Sequence, residues 1–330
     1  MNVKKNKSLY LLSRLYRVTL LRFYRTQKQR YEEWYYSERR NRFGWRHKNE
    51  TYYIVRRKAS ESGLMSLLLT NLMRIEYALK KGYVPIIDMQ NIYNVYLTDR
   101  QIGKVNAWEF YFEQPSGYDL ENVKLCKNVV WGDCDVLTSF PYNKVSFWSD
   151  YNESYLYWKG IAQEYIRLNE TTSRYIKNLK EELFGGHKVV GVKCRGTDYM
   201  LVRPSGHPVQ PDVDDVIDKT KEIIERYNCD TVFLSTEDKE IYEKFRRSFG
   251  EILVTNKTHY ISYNTGSIGQ GTHTENEDKN YMEGLEYVSQ IMLLSSCDCL
   301  VAGLTSGTIG ALLFTSGYEY KYIFDLGVYP

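Results

Sequence analysis

The chain has 330 residues, 43% hydrophobic and 26% charged, which excludes wholesale disorder and, at roughly 100–200 residues per domain, points to two domains or one large α/β domain. No apolar run reaches the ~18–20 residues of a membrane span, no compact apolar leader opens the chain, and the six Cys form no C-x-x-C pair, which argues against a zinc or redox motif. Free thiols in a reducing cytoplasm are the plain reading.

Charge is uneven. Residues 1–48 hold fourteen Lys and Arg against three Glu, a net of +11, so the remainder of this +3 chain is acidic. Leu12, Leu15, Tyr16, Leu20 and Phe23 share one helical face, with Arg14, Arg17, Arg22 and Arg25 off it. A basic amphipathic helix suits an anionic membrane surface; a helix packed on its own protein with a solvated basic rim accounts for the same pattern. Nucleic acid is disfavoured, because the rest of the chain is acidic and carries no nucleic-acid motif.

Past this segment, residues 52–57 read as a strand, 59–63 as a small-residue turn, and 64–81 as a helix closed by Lys80, Lys81 and Gly82. Residues 83–88 follow as a second strand, giving the β-loop-α-β unit of a parallel sheet. Another strand is expected over 128–137, an irregular aromatic stretch over 138–165, and a helix over 165–183. After Gly185-Gly186 a second series begins. Strands are expected at 189–194, 231–234, 252–254, 299–302 and 322–325, and helices at 212–227, 239–249, 281–296 and 305–314, with a long polar loop over 257–278. The predicted architecture is two Rossmann-like α/β domains facing a central cleft: a basic segment 1–48, an N-terminal α/β domain 49–165 and a C-terminal Rossmann-like domain 166–330.

Ligands of open parallel sheets sit beyond the carboxyl ends of the strands. Three strands of the second half are followed there by Arg195-Gly196-Thr197-Asp198, by Ser235-Thr236-Glu237-Asp238 and by Gly303-Leu304-Thr305-Ser306-Gly307-Thr308. A guanidinium fork, hydroxyls and a glycine-containing helix start together describe a diphosphate site. Each piece also has an ordinary structural use: Thr305 as a helix cap, Asp198 in a turn, Thr236-Glu237-Asp238 as a helix start. The P-loop and G-x-G-x-x-G signatures are absent. Asp133-Cys134-Asp135 and Asp212-Val213-Asp214 have the D-x-D form of some metal-dependent glycosyltransferases, but capping or surface readings are favoured for both.

At these residues the chain resembles the fucosyltransferase superfamily of GT-B-type fold, particularly its α-1,6-fucosyltransferase and nodulation branch. The family's H-V-R-R-T-D-K, followed by H-P-I, is similar to Lys193-Cys194-Arg195-Gly196-Thr197-Asp198-Tyr199 and His207-Pro208-Val209. Its A-T-D-D matches Ser235-Thr236-Glu237-Asp238. Its L-S-Q-A-D-F-L-V, with a later S-S, matches residues 294–301 and Thr305-Ser306. W-E-x-x-F looks like residues 108–112, the glycine loop looks like Gly63-Leu64-Met65-Ser66, and Gln90-Asn91 also matches. The likeness spans roughly residues 52–330. Four positions depart from the pattern: Lys193 replaces a His, Gly196 the second Arg, Arg203 the carboxylate proposed as base, and Gln290 the aspartate that holds guanine, with Glu286 one helical turn earlier.

The resemblance implies a bacterial polysaccharide-biosynthesis enzyme that moves fucose from GDP-fucose to a surface or capsular glycan precursor without a metal or other cofactor. It would work in the cytoplasm, peripheral on the inner face of the membrane. Arg195 would neutralise the leaving diphosphate, and Asp198 or His207 would deprotonate the acceptor. Gly63, Ser66, Thr197, Thr305 and Ser306 would line the donor phosphates. Glu237 or Asp238 would grip the ribose, with Thr236 also among the donor-binding residues, and Glu286 or Gln290 would read the base edge. A same-fold transferase with another nucleotide sugar, and a binding module without catalysis, stay open beside it.

Overall fold

The computed structural model describes residues 3–42, 44–58, 61–134, 140–149, 152–196, 203–257, 259–260 and 274–330. It holds an α/β fold with two sheets, preceded by a long helix, α1 (Val3–Tyr36). The first sheet contains β1 (Arg39–Asn41), β2 (Arg46–Val55), β3 (Val84–Ile87) and β4 (Cys126–Trp131), with α2 (Leu64–Lys80) crossing over between β2 and β3. Its order is β1-β4-β2-β3, parallel except for β1. Helices α3 (Leu120–Val123), α4 (Val145–Ser149), α5 (Glu153–Tyr165) and α6 (Glu170–Phe184) surround and follow it.

The second sheet contains β5 (Val189–Lys193), β6 (Thr231–Ser235), β7 (Leu253–Val254), β8 (Cys299–Gly303) and β9 (Tyr320–Phe324). They alternate with α7 (Val213–Tyr227), α8 (Lys239–Phe249), α9 (Glu277–Ser295) and α10 (Ser306–Phe314). The sheet is parallel throughout, in the order β7-β6-β5-β8-β9. Strand order therefore reverses between β5 and β8. That is the switch point where an open α/β sheet leaves a crevice, because the connections on either side run to opposite faces. Lys193 pairs with Ser235 on one side and Ala302 on the other, so the β5, β6 and β8 loops leave from one edge.

Helix α2 explains how the two sheets share a core. Its apolar residues surround the helix instead of forming one stripe, and Leu64, Leu68, Leu69, Leu72 and Ile75 have no exposed surface. Such a helix must be covered on all sides. It packs on its own sheet and on α9 and α10 of the second half. Glycine permits the close approach: a Cβ on Gly310 of α10 would lie 2.9 Å from Met65 Sδ and 3.0 Å from Ile291 Cγ2. Each buried leucine here contributes on the order of 2 kcal/mol.

Several boundaries differ from the sequence expectation. Strand β2 begins at Arg46, so the expected boundary after residue 48 cuts through it, and β1 also falls in the basic segment. The exposed, charged start of β2 lacks the apolar signal of a strand. Strand β4 ends at Trp131, because the Gly132 carbonyl turns to accept Arg56 Nε at 3.0 Å and Nη2 at 2.7 Å. The helix expected over 165–183 is α6, which starts at Glu170, and the stretch 138–165 expected as irregular holds α4 and α5. Asn152 accepts from the Tyr155 amide to cap α5, and Asn169 from that of Thr172 to cap α6. Helix α9 starts at Glu277 behind the Asn276 cap, within the stretch expected as loop.

Among the described side chains of α1, those at its base are anchored. Arg39 stacks over Trp34, Tyr35 and Trp131 at 4.7, 5.0 and 5.4 Å from the ring centres. Every side chain from Leu20 to Trp34 is exposed, including Phe23 at 63% and Tyr24 at 67%. Over that stretch α1 does not pack on its own protein. Among the described residues no helix is long and apolar enough to cross a membrane, and all six cysteines are buried free thiols.

Candidate active site

The carboxyl edge of β5 carries two cations. Lys193, the last strand residue, is 2% exposed; its ammonium lies 3.4 Å from the Ser235 carbonyl and 3.6 Å from Glu237 Oε2. Arg195 Nε lies 3.6 Å from Glu237 Oε1, with the side chain 20% exposed. Burial works to raise the Glu237 carboxyl, but the ammonium of Lys193 and the guanidinium of Arg195 outweigh it and its pKa falls below the usual glutamate range. Burial depresses Lys193, and Glu237 offsets part of that. Both cations converge on one carboxylate at the switch point.

Gly196 fits where the family has a second arginine for a steric reason. A Cβ there would lie 2.4 Å from Asp238 Oδ2 and 2.7 Å from Ile241 Cδ1, while the Gly196 amide donates to Glu237 Oε1 at 3.3 Å. Thr197 and Asp198 lie outside the described residues, as does Asp135 of the first D-x-D stretch.

The β6 loop divides its labour. Asp238 has no exposed surface and caps α8, accepting from the Glu240 and Ile241 amides at 2.8 and 3.1 Å. Thr236 is also buried and accepts from the Asp238 amide at 3.2 Å. Both side chains hydrogen-bond at the helix start, and Glu237 faces the two cations.

After β8, Thr305 caps α10 by accepting from the Thr308 amide at 3.2 Å, and Thr308 Oγ1 donates to the Gly303 carbonyl at 2.6 Å. The start of α10 is thus held rigid, with Ser306 partly exposed beside it. A Cβ on Gly307 would sit 3.1 Å from Tyr287 Oη and 3.4 Å from Lys193 Cε, so the buried ammonium chain runs beneath the helix start. Tyr287 also approaches the N-terminal residue flanking α2: a Cβ on Gly63 would be 4.0 Å from its ring.

Helix α9 brings Glu286 and Gln290 to the same side. Gln290 is buried and accepts from Ser235 Oγ at 3.0 Å; its Nε2 has no hydrogen-bond partner among the described residues. Glu286 pairs with Lys257 at 2.6 Å, and its backbone carbonyl accepts from Asn256 at 3.1 Å. Lys257 was not selected from the sequence, because a lone cation in a polar loop belongs to no motif.

A cavity of about 240 Å³ joins the halves, lined by Arg57, Ser66, Thr70, Tyr142, His207 and Ser306 among others. The exposed His207 sits on a loop fastened to the C-terminal segment: Tyr329 donates from its amide to the His207 carbonyl at 2.9 Å, and its carbonyl accepts from the Gly206 amide at 2.9 Å. Gln210 ties that loop to β8 by donating to the Pro208 and Leu304 carbonyls at 3.1 and 3.0 Å. Arg203 is exposed at the start of the loop with φ 45°. A larger cavity, about 500 Å³, lies among Lys177, Gly185, His187 and Asp298 at the amino ends of β5 and β8, away from these groups.

Among the described residues the D-x-D stretches supply no cation cage. Asp133 follows β4 and pairs with Arg74 at 3.5 Å, Asp212 occupies the cap position of α7, and Asp214 pairs with Lys244 at 3.0 Å. Among the described residues no cluster of three His, Cys, Asp or Glu could hold a metal ion.

Solved structures similar to this chain are fucosyltransferases. The NodZ alpha-1,6-fucosyltransferase co-crystallized with GDP aligns with a TM-score of 0.51 at 15% identity, covering 81% of this chain and 93% of that one. A selenomethionine form of NodZ from Bradyrhizobium gives 0.49 at 16% identity, covering 84% and 96%. POFUT1 in its apo form gives 0.43 at 10% identity, covering 85% and 99%. The first likeness shows a fucosyltransferase-like GT-B fold. No family model and no curated protein matches the chain.

Proposed function

We propose that this chain is a glycosyltransferase that moves fucose from GDP-fucose to a glycan acceptor without a metal. The observation that carries the reading is the meeting of Arg195, the buried Lys193 ammonium and the start of α10 at the switch point of the second sheet. Two cations and a helix N-terminus are the charges a leaving diphosphate needs as negative charge grows on it. Arg195 is the group for the leaving oxygen, oriented by Glu237. Thr305 and Ser306, with the α10 amides, hold the phosphates; Gly63 and Ser66 lie beside them, and Thr197 is also assigned to the donor. Asp198 and His207 are the candidates for the acceptor's base. Glu286 and Gln290 meet the nucleobase. The acceptor is a surface-glycan precursor at a cytoplasmic membrane face, with α1 on the anionic lipid.

A second reading, the same fold with a different nucleotide-sugar donor, is favoured by one observation. The base-edge position holds an amide, Gln290, and the nearest carboxylate, Glu286, is already paired with Lys257.

The deciding experiment measures thermal stability and GDP release with a panel of nucleotide sugars, with and without EDTA. GDP-fucose at a hundredfold excess over Kd stabilises by about 2.7 kcal/mol. The expected result is a GDP-selective, EDTA-insensitive shift with GDP released on transfer. Preference for UDP selects the second reading; nucleotide binding without turnover leaves a binding module.

A further inference from the structure

Arg57 stands just beyond β2 and is partly buried, yet no carboxylate faces it among the described residues. Its Nη1 donates to Ser66 O, Ser66 Oγ and Thr70 Oγ1 at 3.2, 3.3 and 3.1 Å, and its Nη2 to Ser62 Oγ at 3.1 Å. These neutral acceptors hold the fork still without cancelling its charge. The Nε proton and one Nη2 proton have no acceptor among the described residues. Burial lowers the Arg57 pKa, and Tyr142 works against that shift, but the group remains charged.

The same guanidinium lines the 240 Å³ cavity, opposite the loop of His207 and the start of α10 at Ser306. No Asp or Glu lines that cavity among the described residues. A partly buried cation, an imidazole and the Thr70 and Tyr142 hydroxyls in one cavity form a site for negative charge beside the groups assigned to the donor phosphates. The volume is below the roughly 300–1,000 Å³ of drug-sized ligand sites, so it suits one charged group or one sugar ring, not a nucleotide.

We propose that this cavity is a subsite for a single oxyanion carried by the acceptor, a phosphate or a sugar carboxylate, with Arg57 as its principal ligand. The proposal rests on the transferase reading for the word acceptor; the oxyanion site itself stands on the cavity.

The test is a thermal-shift titration of the full chain, first with GDP alone and then, with GDP saturating, with inorganic phosphate, glucuronate or neutral glucose at matched ionic strength. Phosphate, glucuronate or both should raise the melting temperature while glucose does not; which one works identifies the source of the oxyanion. Arg57→Gln should weaken the apparent oxyanion Kd at least tenfold, and Arg57→Lys should recover part of it. His207→Asp, on the exposed loop, gives a second variant that leaves the α2 contacts intact; its carboxylate should compete with the oxyanion for Arg57. No oxyanion shift in the wild type, an equal shift with glucose, or unchanged binding in His207→Asp overturns the subsite. Absence of a GDP shift with an Arg57-dependent oxyanion shift overturns the donor reading and keeps the subsite.

Discussion

Lys193 and Glu237 lie 3.6 Å apart at the carboxyl edge of the second sheet, with side chains 2% and 13% exposed, and Arg195 approaches the same carboxylate from its other oxygen. Removing the carboxylate costs about 3–5 kcal/mol, because the Lys193 ammonium stays buried without it. Glu237→Gln should therefore lower the unfolding free energy by that order. The acid limb has a defined sign. The folded pKa of Glu237 is depressed, so in the window between the folded and unfolded values the unfolded chain binds more protons and stability rises with pH. The wild type loses this contribution as pH falls through the folded pKa; the Gln variant should show a flatter acid limb. Denaturant titrations from pH 3 to 7 check both effects, and a parallel pair of curves would contradict the cluster's role.

Arg195→Ala should lower turnover by about 10²–10³, the range for a lost preorganised donor at a developing charge. Arg195→Lys should restore little, since a point charge does not reproduce the fork. The variant should stay folded, because Arg195 belongs to a loop. Arg203→Ala, at an exposed residue of the neighbouring loop, serves as the comparison and should lose less. Steady-state kinetics with circular dichroism measure this; near-normal turnover of folded Arg195→Ala would remove the assignment.

Deleting residues 1–33 should leave a folded protein with reduced binding to anionic vesicles. The cut keeps Trp34 and Tyr35 stacked on Arg39, whereas deleting 1–48 would strip β1 and the start of β2 from the sheet. Binding by the intact chain should weaken with salt, as the Debye length shrinks from about 10 Å at 0.1 M to about 3 Å at 1 M. Vesicle co-sedimentation decides it: equal binding by the truncated and full chains would refute the membrane role.

Gln210→Leu should destabilise the protein by about 1–3 kcal/mol, because the Pro208 and Leu304 carbonyls lose a buried donor. It should also raise the acceptor KM more than it weakens GDP binding, since the loop it fastens carries His207 on the cavity side. Equal losses in both would place the effect in global stability.

Much of the second half was legible in the sequence. Alternating apolar runs and helical periodicities, punctuated by glycine, are local signals, and they placed β5, β6, β8, α7, α8 and α10 within a few residues. A parallel sheet then requires the loops after β5, β6 and β8 to share one edge, so the grouping of Arg195, Glu237 and Ser306 followed from chain order. Caps were harder. Asn152 starts a helix that the aromatic stretch concealed, and Asn169 and Asn276 set starts that differ from those expected, because one side chain accepting one amide leaves no periodic trace. The charge of the N-terminal segment was equally plain, but Arg39–Asn41 and the start of β2 at Arg46 joined a sheet through backbone bonds that ignore side-chain polarity.

Only the tertiary structure decided which polar groups face a ligand. Glu237 and Asp238 are neighbours in sequence and of one chemistry, yet one meets two cations while the other is enclosed beneath a helix. Backbone direction at the end of β6 sets that difference, and no local pattern encodes it. Arg57 and Lys257 likewise acquire meaning from what surrounds them: serine and threonine oxygens fix the first beside a cavity lacking acids among the described residues, and Glu286 pairs with the second. Sequence determined the elements and the edge on which they present their loops, because those depend on near neighbours. Packing between α2, α9 and α10 brought the halves together and decided which charges face each other across them, because electrostatic partnership depends on distance in space.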